Sequence, residues 1–225
     1  MNATVPTHLN VPNPPNARRS VIGEHPASFI DFYQEDTNIV IWQRKLNDAL
    51  QESVARFLTT NTYFKSVMTV TPDSTYEAVI EALGRFDGAD IISKDVALLV
   101  DMFCCLFELK RAGLRFSVLN QAMCPRFHVD KVPCRLITTY QGVATEWLAD
   151  KDVDRSKLGA GNLGKVDAES GLYRSSRDIQ QLNQGDVALL KGELWVGNEN
   201  AGLVHRSPAV ADKQPRLMLT LDFIS

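Results

Sequence analysis

The chain has 225 residues and a net charge of −3, with 44% hydrophobic and 23% charged residues. Such a length can bury a sizeable core, and such a composition belongs to an ordinary soluble globular protein. An acidic balance argues against nucleic acid as a partner, because neutralising phosphates takes a basic surface. No apolar run approaches the roughly 18 residues that a membrane span needs. The stretch MNATVPTHLNVPNPPNARRS lacks the apolar centre of a secretory signal. The expectation is a cytoplasmic protein, with its four cysteines as free thiols.

In chain order, residues 1–25 are rich in Pro and Asn and predict a flexible N-terminal arm. Residues 26–225 read as a single domain, mainly helical over 26–113 and β-rich over 114–225. Residues 38–41 suggest a short strand. From Trp42, the residues Leu46, Leu50, Val54, Phe57 and Leu58 fall at helical spacing and predict an amphipathic helix. Pro72 opens a second helix, with Ser74 and Glu77 as its capping box, Tyr76, Val79, Ile80 and Leu83 as its buried face, and Gly84 as its end. A third runs from Ser93 as N-cap through Val96, Leu99, Val100, Phe103 and Phe107 to Gly113.

Beyond Gly113 the pattern shortens to strand-like runs at 115–120, 134–140, 145–148, 187–191 and 216–223, separated by Gly, Pro or Asp. Residues 217–221 are nearly all apolar, as in a strand buried on both faces. Helices first and strands second predict an α+β fold: a β-sandwich or barrel with the helices packed on one sheet. The polar, Gly-rich segment 149–178 is a long loop connecting two strands. It holds Gly159-Ala160-Gly161-Asn162-Leu163-Gly164, which matches a dinucleotide fingerprint in letters only. The flanks lack the strand and helix such a site requires, and Val166 stands where a phosphate loop needs Ser or Thr.

The segment His128-Val129-Asp130 carries the strongest chemical signal. On extended backbone, residues i and i+2 share a face, so one imidazole and one carboxylate can bind the same ion. His205 is the only other histidine beyond the first 25 residues. Two histidines and one carboxylate make a metal-binding triad that leaves open coordination positions, as non-haem Fe(II) oxygenases need. Arg216 opens the last strand with a planar, permanently charged fork suited to a carboxylate. Cys124 and Cys134 bracket the His-x-Asp and, turned inward, would make a closed zinc site with the two histidines.

These residues, together with 118–120, 135–140, 144–147, 185–190 and 205–208, resemble the Fe(II)/2-oxoglutarate-dependent oxygenases, particularly the prolyl-hydroxylase-like branch. That resemblance covers roughly residues 114–223. It implies a double-stranded β-helix (jelly roll), metal ligation by His128, Asp130 and His205, and binding of the cosubstrate's far carboxylate by Arg216. It also makes Tyr140, on the strand after the His-x-Asp, a candidate cosubstrate contact. Val143-Ala144 departs from the Gly-Gly common in that family. The implied activity is hydroxylation of a small molecule or a protein side chain. A non-catalytic zinc-binding protein using the same histidines is the alternative, and a jelly-roll binding module without cosubstrate is a third reading. Residues 124–130 and 202–208 also resemble a bacterial family described as a domain of unknown function.

Overall fold

A computed structural model describes residues 17–211 and 214–224. The chain begins with β1 (Arg19–Gly23), a 3-10 helix (Pro26–Tyr33) and β2 (Thr37–Trp42), which pairs parallel with β1. Of the expected arm, residues 1–16 lie outside the described residues, while Arg19–Gly23 form this edge strand. Trp42 ends β2 rather than starting a helix, and α1 (Asp48–Thr60) begins only after Asn47, whose side chain accepts from Leu50 N at 2.9 Å. A cap of this kind is worth about 1 kcal/mol. Next comes β3 (Lys65–Val70), an edge strand the sequence pattern hid because its exposed and half-buried residues alternate without an apolar run.

α2 (Pro72–Leu83) has a capping box three residues earlier than expected, with Thr71 as N-cap and Ser74 as its partner. Pro72 lacks an N–H and suits the first helical position, which places the cap at residue 71. α3 (Ala89–Leu106) starts ahead of Ser93, which is buried inside the helix. Its N-cap is Gly88, where φ is 116° and a Cβ would lie 2.6 Å from Ser53 Oγ, so only glycine lets α1 and α3 approach this closely. α3 also stops at Leu106, and Gly113 belongs to β4 (Ala112–Leu119).

The rest of the chain forms β5 (Cys134–Gln141), β6 (Glu146–Leu148), a one-turn α4 (Asp167–Ser170), β7 (Ile179–Gln181), β8 (Val187–Lys191), β9 (Val204–Arg206) and β10 (Arg216–Asp222). A seven-stranded sheet runs β1-β2-β8-β5-β10-β4-β3, and a three-stranded sheet runs β7-β6-β9. The fold is thus mixed α+β, with one large sheet, a smaller one and several helices.

Period-two alternation decides what each face of the large sheet meets. Leu114, Phe116, Leu136, Leu189, Leu217, Leu219 and Leu221 face α1–α3 and form the main core. Their neighbours Ile137, Ala188, Leu190 and Met218 point the other way and pack with Trp147 of β6 and Leu203. A second apolar cluster therefore lies between the two sheets, and the residues that alternate with the main core line that space. As the sequence pattern suggested, β10 is buried on both sides.

The segment 149–178 returns to the body rather than extending from it. Leu172 is buried with Phe127, Leu148 and Val204, and Arg155 donates to Asp150 and to Gly202 O. Its glycines bend short 3-10 turns. No described helix is long and apolar enough to cross a membrane.

Candidate metal centre

The segment joining β4 to β5 comes alongside β9 as it passes His128. His128 N donates to His205 O and His205 N to His128 O, both at 3.0 Å, in an isolated antiparallel bridge. This backbone pair sets the two imidazoles side by side, with ring centroids 4.6 Å apart. Close packing beneath the segment holds it there. A Cβ on Gly202 would lie 2.3 Å from Val129 Cγ1, and one on Gly192 2.0 Å from Val132 O. Glu193 N donates to Asp130 O at 3.0 Å.

His128, Asp130 and His205 present one ligand atom each, all within 4.8 Å of one another. His128 Nδ1 lies 2.9 Å from Arg126 O, and His205 Nδ1 lies 3.2 Å from Leu203 O. A carbonyl oxygen only accepts, so in its neutral form each ring keeps its proton on Nδ1 and turns the Nε2 lone pair toward Asp130. Nε2 of His128 is 3.7 Å from Asp130 Oδ1, and Nε2 of His205 is 3.3 Å from Oδ2. Neutral rings in this tautomer leave three acceptors facing one another, an arrangement that calls for a cation between them.

The electrostatics agree. Burial lowers the pKa of His128, and the neighbouring charge of His205 lowers it further, which favours the neutral, ligating form. For Asp130, burial works to raise the carboxyl. The protonated form of His205, which donates to it, outweighs this together with Arg135 and His128 and holds the pKa at about 2, so the carboxylate is ionised and ready to face a cation.

Arg135 is the residue the sequence reading missed. Its Nη1 donates to Asp130 Oδ2 at 2.8 Å, while Nε and Nη2 grip Asp222 at 2.7 and 2.9 Å. Aiming a ligating carboxylate in this way is a common task of a metal site's supporting groups. The signal was present in β5, where Arg135 is the one charged residue of a largely buried strand.

Arg216 is fully buried. Its Nε and Nη2 reach Thr139 Oγ1 at 3.2 and 3.0 Å, Nη2 also donates to Thr145 Oγ1 at 2.6 Å, and Nη1 to Ser207 Oγ at 3.2 Å. Among the described residues, no carboxylate pairs with it. Burial alone lowers its pKa to about 10, so it remains charged at neutral pH. Gly142, at φ 93°, lets the turn after β5 press against it, for a Cβ there would lie 3.0 Å from Arg216 Cα. Arg216 shares a narrow cavity of ≈ 50 Å³ with His128, His205, Arg135 and Thr145.

Two expected participants sit elsewhere. Tyr140 has the opposite parity on β5 and lies in the helix-side core, its OH donating to Asp95 Oδ2 at 2.6 Å. Burial, with the Asp95 charge, pushes its phenol well above the usual range. It makes no contact with the cavity and is corrected from cosubstrate contact to core residue. Cys134 likewise faces the helices, and burial raises its thiol well above the ordinary value. Cys124 is exposed at the cavity rim and outside the ligand cluster. A four-ligand shell with both cysteines is therefore not assembled. Of the arginines beside the ligands, Arg206 pairs with Glu146 at 2.6 Å and Asp167 at 3.5 Å and lies over the Phe127 ring, while Arg126 reaches Asp167 and Lys165 O.

A family model described as "Protein of unknown function (DUF1826)" matches residues 23–222. The chain belongs to this family. No curated protein matches this DUF1826 chain. Among solved structures, it is similar to a dioxygenase for auxin oxidation in rice, at 10% identity and a TM-score of 0.48, covering 92% of this chain and 83% of that one. It is also similar to a Pseudomonas putida prolyl-4-hydroxylase (11% identity, TM-score 0.44, 88% of this chain and 97% of that one). A third likeness is to Neurospora crassa T7H in complex with alpha-KG (10% identity, TM-score 0.43, 93% and 85%).

Proposed function

We propose that this DUF1826 chain is an Fe(II)/2-oxoglutarate-dependent oxygenase of the double-stranded β-helix type. The observation that carries the reading is Arg216, a fully buried guanidinium that shares a cavity with His128 and His205 of the triad and pairs with no acid among the described residues. Leaving a buried cation without an anion is costly. Such a cation beside converging metal ligands is chemically complementary to a dicarboxylate that binds the metal at one end and the guanidinium at the other, and admitting one requires the ≈ 50 Å³ cavity to widen.

The residues fit the metal. Nε2 of His128, Nε2 of His205 and a carboxylate oxygen of Asp130 would hold it, two nitrogens and one oxygen with positions left open. Bound there, Fe(II) with 2-oxoglutarate and dioxygen supplies the oxidising chemistry for hydroxylating a substrate C–H bond.

The chain's own part is to bind and orient. Thr139, Thr145 and Ser207 fix the Arg216 fork by accepting four of its five N–H donors, which leaves one N–H on Nη1 and the full positive charge to meet a carboxylate. Arg135 keeps Asp130 ionised and aimed at the histidines. Ile137 and Met218 line the cavity between the polar groups with apolar surface.

The test is anaerobic loading with Fe(II) followed by 2-oxoglutarate, which should produce a visible charge-transfer band. Arg216→Met should weaken 2-oxoglutarate binding by roughly 2–5 kcal/mol, the usual cost of removing one partner from a buried charge pair, with Fe(II) affinity unchanged. An intact, iron-loaded protein that shows no band would remove the assignment.

A further inference from the structure

Beyond the metal and Arg216, the same face of the large sheet carries a second set of unpartnered polar groups. Arg115 and Ser117 alternate on β4 with the buried Leu114, Phe116 and Val118, so both point away from the helices. Nε of Arg115 and Oγ of Ser117 are buried without a hydrogen-bond partner, and so is Oγ1 of Thr220, the register neighbour of Arg115 on β10. Ser117 is only 2% exposed and Thr220 4%. Arg115 makes no ion pair among the described residues. Each such group left unmet is destabilising, and here they are adjacent.

Arg115 and Ser117 line a groove of ≈ 710 Å³ between β4, the edge strand β3 and the segment that follows β4, where Lys65 adds a second cation, while Thr220 lines the neighbouring metal cavity. No carboxylate lines the groove. Arg115 and Met123 also line the metal cavity, which makes the groove and the metal centre neighbours that share walls. In an acidic chain, a groove with two cations and no acid is complementary to an anion.

We propose that Arg115, Ser117 and Lys65 bind the oxygenase's primary substrate through an oxyanion, and that this substrate is a small organic acid carrying a carboxylate or a phosphate. This identification of the substrate class rests on the oxygenase reading above. The anion site itself is separate from Arg216. The register pairs Arg115 with Thr220 and Arg216 with Leu119. The two arginines therefore anchor about 13 Å apart along the strands at ~3.3 Å per residue. One places its anion deep between the sheets, and the other places its anion at the mouth.

The test uses the full chain, Zn(II)-loaded so that it is diamagnetic, saturated with 2-oxoglutarate and observed by nitrogen-15 NMR. Propionate and methyl phosphate are titrated separately while the Nε–H resonances of Arg115 and Arg216 are followed. The expected result is a saturable shift at Arg115 and the Ser117 amide with at least one probe, the tighter probe naming the anion. Arg115→Gln should weaken that binding about tenfold or more. Arg115→Lys, which keeps the charge and loses the fork, should restore part of it. No shift at Arg115 with either probe, or an Arg115→Gln titration like the wild type, overturns the site. Probes that act only by displacing 2-oxoglutarate also overturn it. Failure of 2-oxoglutarate to move the Arg216 resonance would instead sink the oxygenase reading while the Arg115 titration still stood.

Discussion

On the helix-facing side of the large sheet, Arg44, Asp95 and Tyr140 form a closed set. Arg44 grips both oxygens of Asp95 at 2.8 and 3.0 Å, Asp95 accepts from Tyr140, and Arg44 also donates to Gly185 O. On the side between the sheets, Arg216 and Arg115 are cations whose partners among the described residues are hydroxyls or none at all. The two sets lie on opposite faces of neighbouring strands, with Tyr140 on β5 and Arg216 on β10, which pairs with it. A set that closes on itself stabilises the fold, whereas one that stays open has binding capacity left for a ligand.

The largest contrast should come from cutting each set. Asp95→Ala leaves Arg44 buried and uncompensated and should cost about 3–5 kcal/mol in urea denaturation, with metal affinity unchanged in the folded protein. Arg216→Met should have the opposite signature. It removes a buried cation that has no acid partner among the described residues, so the ligand-free protein should be no less stable. Equal stability losses in the two variants would erase the distinction between the faces.

Within the open face, His128→Ala should lower affinity for Fe(II) or Mn(II) by about a hundredfold or more, since changes merely beside metal ligands already cost 10–100-fold. Equilibrium dialysis against the metal reads this directly. Retained affinity would show that the ion, where one binds, uses other ligands.

A smaller effect tests how the centre is held in place. Gly202→Ala puts a methyl against Val129, next to His128, and should cost roughly 1–3 kcal/mol of stability as the segment shifts. Metal affinity should fall with it. Gly84→Ala, at φ 75° with open space around it, should strain its backbone and leave metal binding untouched.

The smallest effect concerns Lys191, a buried cation on the helix side that donates to Gln34 O at 2.9 Å and lies over the rings of Phe32 and Trp195. Burial, with the nearby Arg18 charge, lowers its pKa from 10.5 to about 8. Between those values the unfolded chain holds a proton that the folded chain has released, so stability rises with pH across the window. Urea midpoints for wild type and Lys191→Met, taken below and above that window, should differ by a rise that only the wild type shows.

The sequence by itself determined the local chemistry. Helical spacing located α1, α2 and α3, with starts misplaced where a cap or a glycine contact outweighed periodicity, as at Asn47, Thr71 and Gly88. Alternation located β4, β5, β8 and β10, and the His-x-Asp pattern with one distal histidine singled out the three residues that the backbone bridge brings together. Tertiary structure decided what strand parity alone leaves open, namely which face meets the helices. That choice sends Tyr140 and Cys134 into the core and leaves Arg135, Thr139 and Arg216 facing the cavity. It also decided which charges find partners. A buried arginine reads the same in a sequence whether an acid waits across the sheet or not, because ion pairing depends on contacts between residues far apart in the chain.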